Sequence, residues 1–141
     1  MKLSLYTDGA ANTSTRDGGA AFMIKDGDKL LYIFAKHISD TTSNRAEYLA
    51  IIFGLRRCHE LGADEVEVYT DSELIIGQME GYYGAKLNRD LVYELMDMRK
   101  LFNRVRFRHI SSEENPVHHL AHEAYERKRE FDAYVGESVK A

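Results

Sequence analysis

A chain of 141 residues has the length of about one domain, enough to bury a core without a disulfide or a structural metal. Its 44% hydrophobic and 30% charged residues exclude a disordered chain, and the single cysteine, Cys58, excludes an internal disulfide and a cysteine-cluster zinc site. The net charge of −4 argues against indiscriminate binding to nucleic acid, and no apolar run is long enough to span a bilayer.

The first residues, Met1 to Thr7, reach Asp8 too early for a signal peptide's apolar region, so a cytoplasmic location is expected. No linker or repeat divides the chain. The expectation is one domain over 1–141, with a core of about 2–130 and a C-terminal tail of 131–141, acting as a monomer with no membrane and no evident protein partner. Residues 2–7 alternate, with Leu3, Leu5 and Thr7 opposite Ser4 and Tyr6, which predicts a strand ending at Asp8. Two further strands follow over 19–25 and 29–38, joined by the hairpin turn Asp26-Gly27-Asp28. Thr41-Thr42-Ser43 supplies capping hydroxyls for a helix over about 44–60, and Gly62 stops it. Val66, Val68 and Thr70 alternate as a fourth strand, and Leu74 to Ile76 begin a short helix. Leu91, Leu95 and Met98 mark a third helix over about 89–102. Val105, Phe107 and His109 alternate with Arg104, Arg106 and Arg108 as a fifth strand. A last helix starts near Pro116, whose missing N–H is harmless in a first turn.

The element order βββαβααβα predicts an α/β fold: a five-stranded mixed sheet with helices on both faces. Over 84–108, seven basic side chains (Lys86, Arg89, Arg99, Lys100, Arg104, Arg106, Arg108) face three acids, a local basic surplus on an acidic protein. Such a stripe is either a solvated edge or a phosphate contact.

Three carboxylates fall where sheets build sites. Asp8 and Asp71 each follow a Thr at a strand's carboxyl end, and parallel neighbours lie about 5 Å apart, so one cation can bridge both acids. Glu47, expected in the first turn of the helix from 44, leans over the same edge. Three anions that close repel unless a cation joins them, and hard oxygen ligands suit Mg²⁺ or Mn²⁺. The chemistry this permits is phosphodiester hydrolysis with two ions about 4 Å apart. Each acid alone also reads as a turn, cap or helix-dipole residue. Spacing yields an acidic cleft and no substrate.

The blocks Tyr6-Thr7-Asp8-Gly9-Ala10, Gly18-Gly19-Ala20-Ala21, Thr41 to Ala50 with Asn44-Arg45-Ala46-Glu47, Val68-Tyr69-Thr70-Asp71-Ser72, Glu113-Glu114-Asn115 and Leu120 to Ala124 occur in the order of ribonuclease H type 1. The chain resembles that family over about residues 3–126. The resemblance implies a ribonuclease H-like fold and an endonuclease that uses Mg²⁺ or Mn²⁺ to cut RNA paired with DNA, leaving a 3′-hydroxyl. It makes Asp8, Glu47 and Asp71 three of four metal-binding acids. It also puts Gly9, Ala10, Asn12, Asn44 and Ser72 in segments that meet the RNA–DNA hybrid across its minor groove, where 2′-hydroxyls are displayed. For Asn12 and Asn44, turn formation or capping is the alternative.

The fourth acid is replaced. Counting back from Leu120-Ala121 gives His118; counting from Asn115 can give His119. As an imidazole ligand, His118 would favour Mn²⁺ over Mg²⁺ and fail in acid as it takes up a proton. Alternatives are a hybrid-binding module with weakened or lost catalysis, or a DNA nuclease on the same fold. A zinc site from His109, His118, His119 and His122 fits poorly, because no Glu follows the first histidine. Glu73 stands where the family often has Gln. The link from Gly81 to Lys86 leaves no room for the basic protrusion many members carry, and no separate N-terminal hybrid-binding domain is expected.

Overall fold

The computed structural model describes residues 1–81 and 87–136. The link over 82–86, including Lys86, lies outside them. Ten elements follow in chain order: strands β1 (Lys2–Ala11), β2 (Gly18–Asp26) and β3 (Lys29–Ile38), helix α1 (Ser43–Glu60), β4 (Glu65–Thr70), α2 (Glu73–Met79), α3 (Arg89–Arg99), β5 (Arg104–His109), α4 (His118–Glu126) and β6 (Phe131–Tyr134).

The sheet order is β5-β4-β1-β2-β3-β6. β4 pairs in parallel with both β1 and β5; the other neighbours are antiparallel. The expected mixed sheet is therefore present, with six strands in place of the five expected. The sixth, β6, falls within the stretch taken as a tail. Its four residues carry too little apolar alternation to mark a strand. The free edge of β3 recruits them, helped by the Tyr32 hydroxyl donating to Asp132 and by the His37 N–H donating to Glu130.

Alternation decides which side chains meet which helix. Leu3, Leu5, Val66, Val68, Val105 and Phe107 point to one face, where Ile51, Ile52 and Leu55 of α1 and Leu91 and Leu95 of α3 close the main core. Burying each such side chain contributes roughly 1.5–3 kcal/mol. The opposite face carries a smaller cluster in which Ala10, Ala21 and Ala35 meet Val117, Ala121 and Ala124 at α4. Small side chains on both sides bring α4 close to the strands. Helices thus pack on both faces, and the two that carry candidate ligands Glu47 and His118, α1 and α4, grip β1 from opposite sides.

β1 is longer than its alternation indicates. It continues through Asp8 to Ala11, so Asp8 lies within the strand and not at its end. Past Tyr6, paired with Tyr69, β4 leaves β1, while β2 goes on pairing with it from Asp8 opposite Ala21 to Ala11 opposite Gly18. A notch opens where β1 and β4 part, and Asp8 and Asp71 flank it. Such partings are where open α/β sheets hold ligands.

Candidate metal centre

Each side chain at the notch is delivered by a different element. β1 supplies Asp8, which is 5% exposed. α1 is capped by the Thr42 hydroxyl, which accepts from the Arg45 N–H at 3.1 Å, and Glu47 is its fifth residue, so it begins the second turn and does not belong to the first. Asp71 follows β4, and Ser72 caps α2 by accepting from the Ile75 N–H at 3.2 Å. α4 begins with His118.

Among the described residues, one group of three ligand-type side chains converges. Asp8, Asp71 and His118 each present one ligand atom, and these atoms lie within 4.8 Å of one another. His118 Nδ1 stands 3.8 Å from Asp8 Oδ2, too far for a hydrogen bond, and both atoms are buried without a partner. Buried polar atoms left unpaired are costly, and a cation bound between them removes that cost. Glu47 adjoins the trio at Asp71, within hydrogen-bond reach of Asp71 and of Ser72. The electrostatics agree. Burial, then the charges of Asp71 and Glu47, push the Asp8 carboxyl up to about 8. Burial and Asp71 push Glu47 up to about 8, against the pull of the Ser72 hydroxyl. Two or three carboxylates with one imidazole, at least two of them desolvated, fit Mg²⁺ or Mn²⁺, with the nitrogen favouring Mn²⁺.

A family model described as reverse transcriptase-like matches residues 6–124. The ribonuclease H of Cyanothece sp. is 35% identical over 71 residues, 50% of this chain and 45% of that protein. Among solved structures, LC11-RNase H1 in complex with an RNA/DNA hybrid is 30% identical with a TM-score of 0.82, covering 89% of this chain and 98% of that one. The N-terminal RNase H domain of rv2228c from Mycobacterium tuberculosis, solved as a fusion with maltose binding protein, is 26% identical with a TM-score of 0.81, covering 89% and 100%.

The chain belongs to the ribonuclease H type 1 family. It spans about half the length of the curated ribonuclease H proteins it matches. Within this ribonuclease H frame, the residues expected to meet the substrate take different places. Asn44 is exposed on the first turn of α1, with Thr42 already serving as the cap. Asn12 uses its side-chain oxygen in a turn, accepting from the Ser14 and Thr15 N–H groups at 2.8 and 3.0 Å, which leaves its amide NH₂. Ala10 is buried against α4, so it can offer only backbone to a ligand. Ser72 is the α2 cap and a neighbour of Glu47. Gly9 has a packing role: a Cβ there would overlap the backbone of Ala46 and Glu47. Gly19 plays the same part for α4, where a Cβ would meet the Ala121 carbonyl. Gly9→Ala must push α1, and Glu47 with it, off the strand. The expected result is a loss of about 2–3 kcal/mol in stability and at least a tenfold fall in kcat, read by urea unfolding and single-turnover kinetics.

Of the four histidines weighed as a zinc site, His118 stands 5.1 Å from His119 and 6.0 Å from His122 between ring centroids, but its Nδ1 is turned to Asp8. His109 lines a separate groove beside Tyr69. The register that selects His118 over His119 is the one the geometry adopts.

Two residues at the site were given no role by the sequence reading. Ser112 donates its hydroxyl to Asp71 Oδ2 at 2.8 Å. Asn115 is buried, donates its amide to the Thr7 carbonyl at 2.9 Å and accepts from the Val117 N–H at 3.2 Å, while its own carbonyl accepts from His118 N–H at 3.1 Å. This side chain pins the start of α4 to β1 beside Asp8. Residue spacing could not assign it this role, because its partner on the strand is 108 positions away. Asn115→Ala strands the Thr7 carbonyl and frees His118. It should cost about 2 kcal/mol, by thermal or urea unfolding, and lower kcat more than it raises KM.

Proposed function

We propose that this chain is an endonuclease that hydrolyses the RNA strand of RNA–DNA hybrids with two divalent ions, Mg²⁺ or Mn²⁺, held by Asp8, Glu47, Asp71 and His118. The observation that carries the reading is the convergence of Asp8, Asp71 and His118 around two buried ligand atoms that lack a protein partner. The relative solved with a hybrid supports the choice of substrate.

In this reading Asp8, Asp71 and His118 would hold the ions together with Glu47, which stands beside Asp71. Ser112 fixes one Asp71 oxygen, and Ser72 orients Glu47. His118 offers nitrogen where the family usually has a carboxylate, so the site carries one negative charge fewer. When bound, the ions activate the attacking water and neutralise charge on the phosphate and the leaving oxygen. The exposed Asn44 and the amide of Asn12, with the backbone at Gly9 and Ala10 and the Ser72 hydroxyl, would read the hybrid's shallow minor groove and its 2′-hydroxyls. The protein is read as a cytoplasmic monomer. Among the described residues, no helix is long and apolar enough to cross a membrane.

Labelled RNA–DNA hybrid, double-stranded RNA and DNA, each incubated with Mg²⁺ or Mn²⁺, test the proposal. Cleavage of RNA in the hybrid alone, faster with Mn²⁺, is expected. Binding without cutting would make the chain a hybrid-binding module, and cutting of DNA without RNA would make it a DNA nuclease.

A further inference from the structure

α4 packs on β1, β2 and β3, and among the described residues no helix covers the outer part of that sheet face, over β4 and β5. Register places Arg104, Arg106 and Arg108 of β5 there with Glu67 and Tyr69 of β4 and Tyr6 of β1, because the alternate set is buried under α1 and α3. Glu67 is neutralised twice, by Arg108 at 3.1 Å and by Lys2 at 3.6 Å. Arg104 and Arg106 are exposed and form no ion pair among the described residues. Two others of the basic run are occupied. Arg99 donates to the Met79 and Val105 carbonyls and lies over Phe107, and Lys100 pairs with Asp97.

On this face a groove of about 490 Å³ opens, lined by Tyr6, Lys25, Tyr69, His109, Glu114 and Pro116. The tyrosine rings are stacked, 4.7 Å between centroids, and the Lys25 ammonium lies 5.5 Å from the Tyr6 centroid. Glu114 at the rim accepts from the Ser111 hydroxyl at 3.0 Å. A second, smaller groove runs between Lys2, Glu65, Arg104 and Arg106. Tyr6 precedes Asp8 by two residues and Tyr69 precedes Asp71 by two, so the larger groove starts only about 7 Å from the catalytic acids.

We propose that this open face is a docking track for single-stranded RNA that continues from the hybrid held at the metal centre. The inference rests on the hybrid reading above. A groove of this size takes a nucleotide and not a duplex. Arginines at alternate positions of one strand repeat at about 6–7 Å, comparable to successive phosphates of an extended chain. Cations interleaved with aromatic rings are how sequence-tolerant single-strand sites are built.

The test measures fluorescence anisotropy in EDTA, so that nothing is cut, for the unaltered protein and for a Lys25→Gln, Arg104→Gln, Arg106→Gln variant. The probes are a blunt RNA–DNA hybrid and the same hybrid carrying a ten-nucleotide extension on the 5′ or the 3′ end of its RNA, or on its DNA. An RNA extension at one end should tighten binding about tenfold, with a salt dependence steeper by about two ions that the triple variant loses. Blunt-hybrid affinity should be the same in both proteins. Equal loss on blunt and extended hybrids, or no gain from any extension, overturns the track. A gain from DNA alone overturns its assignment to RNA. Cleavage of the blunt hybrid with Mn²⁺, measured alongside, reports on the hybrid reading separately.

Discussion

Replacing Asp8 with asparagine is expected to abolish hybrid cleavage and, at pH 8 without metal, to raise stability by about 2–5 kcal/mol. Asp8 is buried, its Oδ2 has no partner, and burial with the charges of Asp71 and Glu47 pushes its carboxyl up to about 8. Unfolded, the same carboxyl titrates near 4. Between those values the folded protein binds the proton and the unfolded chain does not, so stability falls as pH rises from about 4 to 8. Asparagine cannot ionise, which removes this penalty. Its amide can also donate to Asp71 or His118. Urea unfolding in EDTA should therefore show parent and Asp8→Asn equal near pH 4 and diverging towards pH 8. Adding Mg²⁺ or Mn²⁺ should stabilise the parent and leave the variant nearly unmoved, because ligand binding to the native state alone adds stability. A variant no more stable than the parent at pH 8 would refute the buried, mutually repelling acids on which the metal centre depends.

His118→Asp should move metal preference. A carboxylate at this position restores an oxygen ligand and a fourth negative charge beside Asp8 and Asp71. The Mg²⁺ concentration for half-maximal activity should fall about tenfold, and the advantage of Mn²⁺ should shrink, since Mg²⁺ selects oxygen and imidazole suits Mn²⁺. The same change should lower metal-free stability at neutral pH by about 1–2 kcal/mol, because one more anion enters the cluster. His118→Ala supplies the control: with Mn²⁺ its rate should drop about tenfold or more. Mg²⁺ and Mn²⁺ rates identical in the parent and His118→Ala would remove His118 from the set of ligands.

These effects depend on features that differ in how far they can be read from residues alone. Alternation at Leu3 and Leu5, Val66 and Val68, and Val105 and Phe107 identified the three strands β1, β4 and β5 and their buried face, because a period of two has one structural cause. Thr42 and Gly62 bracketed α1 for equally local reasons. The end of β1 was not legible, because Gly9, Ala10 and Ala11 have weak strand preference and are held there by β2. β6 was missed for the same reason: a partner edge makes it a strand, and its own four residues do not.

At the site, residue types and family spacing named Asp8, Glu47, Asp71 and His118, since carboxylates and imidazole are what a divalent cation requires. The sequence by itself determined the chemistry on offer and the elements that carry it. Only the tertiary structure decided how those groups meet: that Asp8 lies inside a strand, that His118 and not His119 faces it, and that Ser112 and Asn115 hold Asp71 and α4 in place. The physical reason is range. Periodicity and caps act over a few residues, whereas the hydrogen bonds that shape this site join positions 41 and 108 apart, and their geometry exists only once the sheet and its two helices have packed.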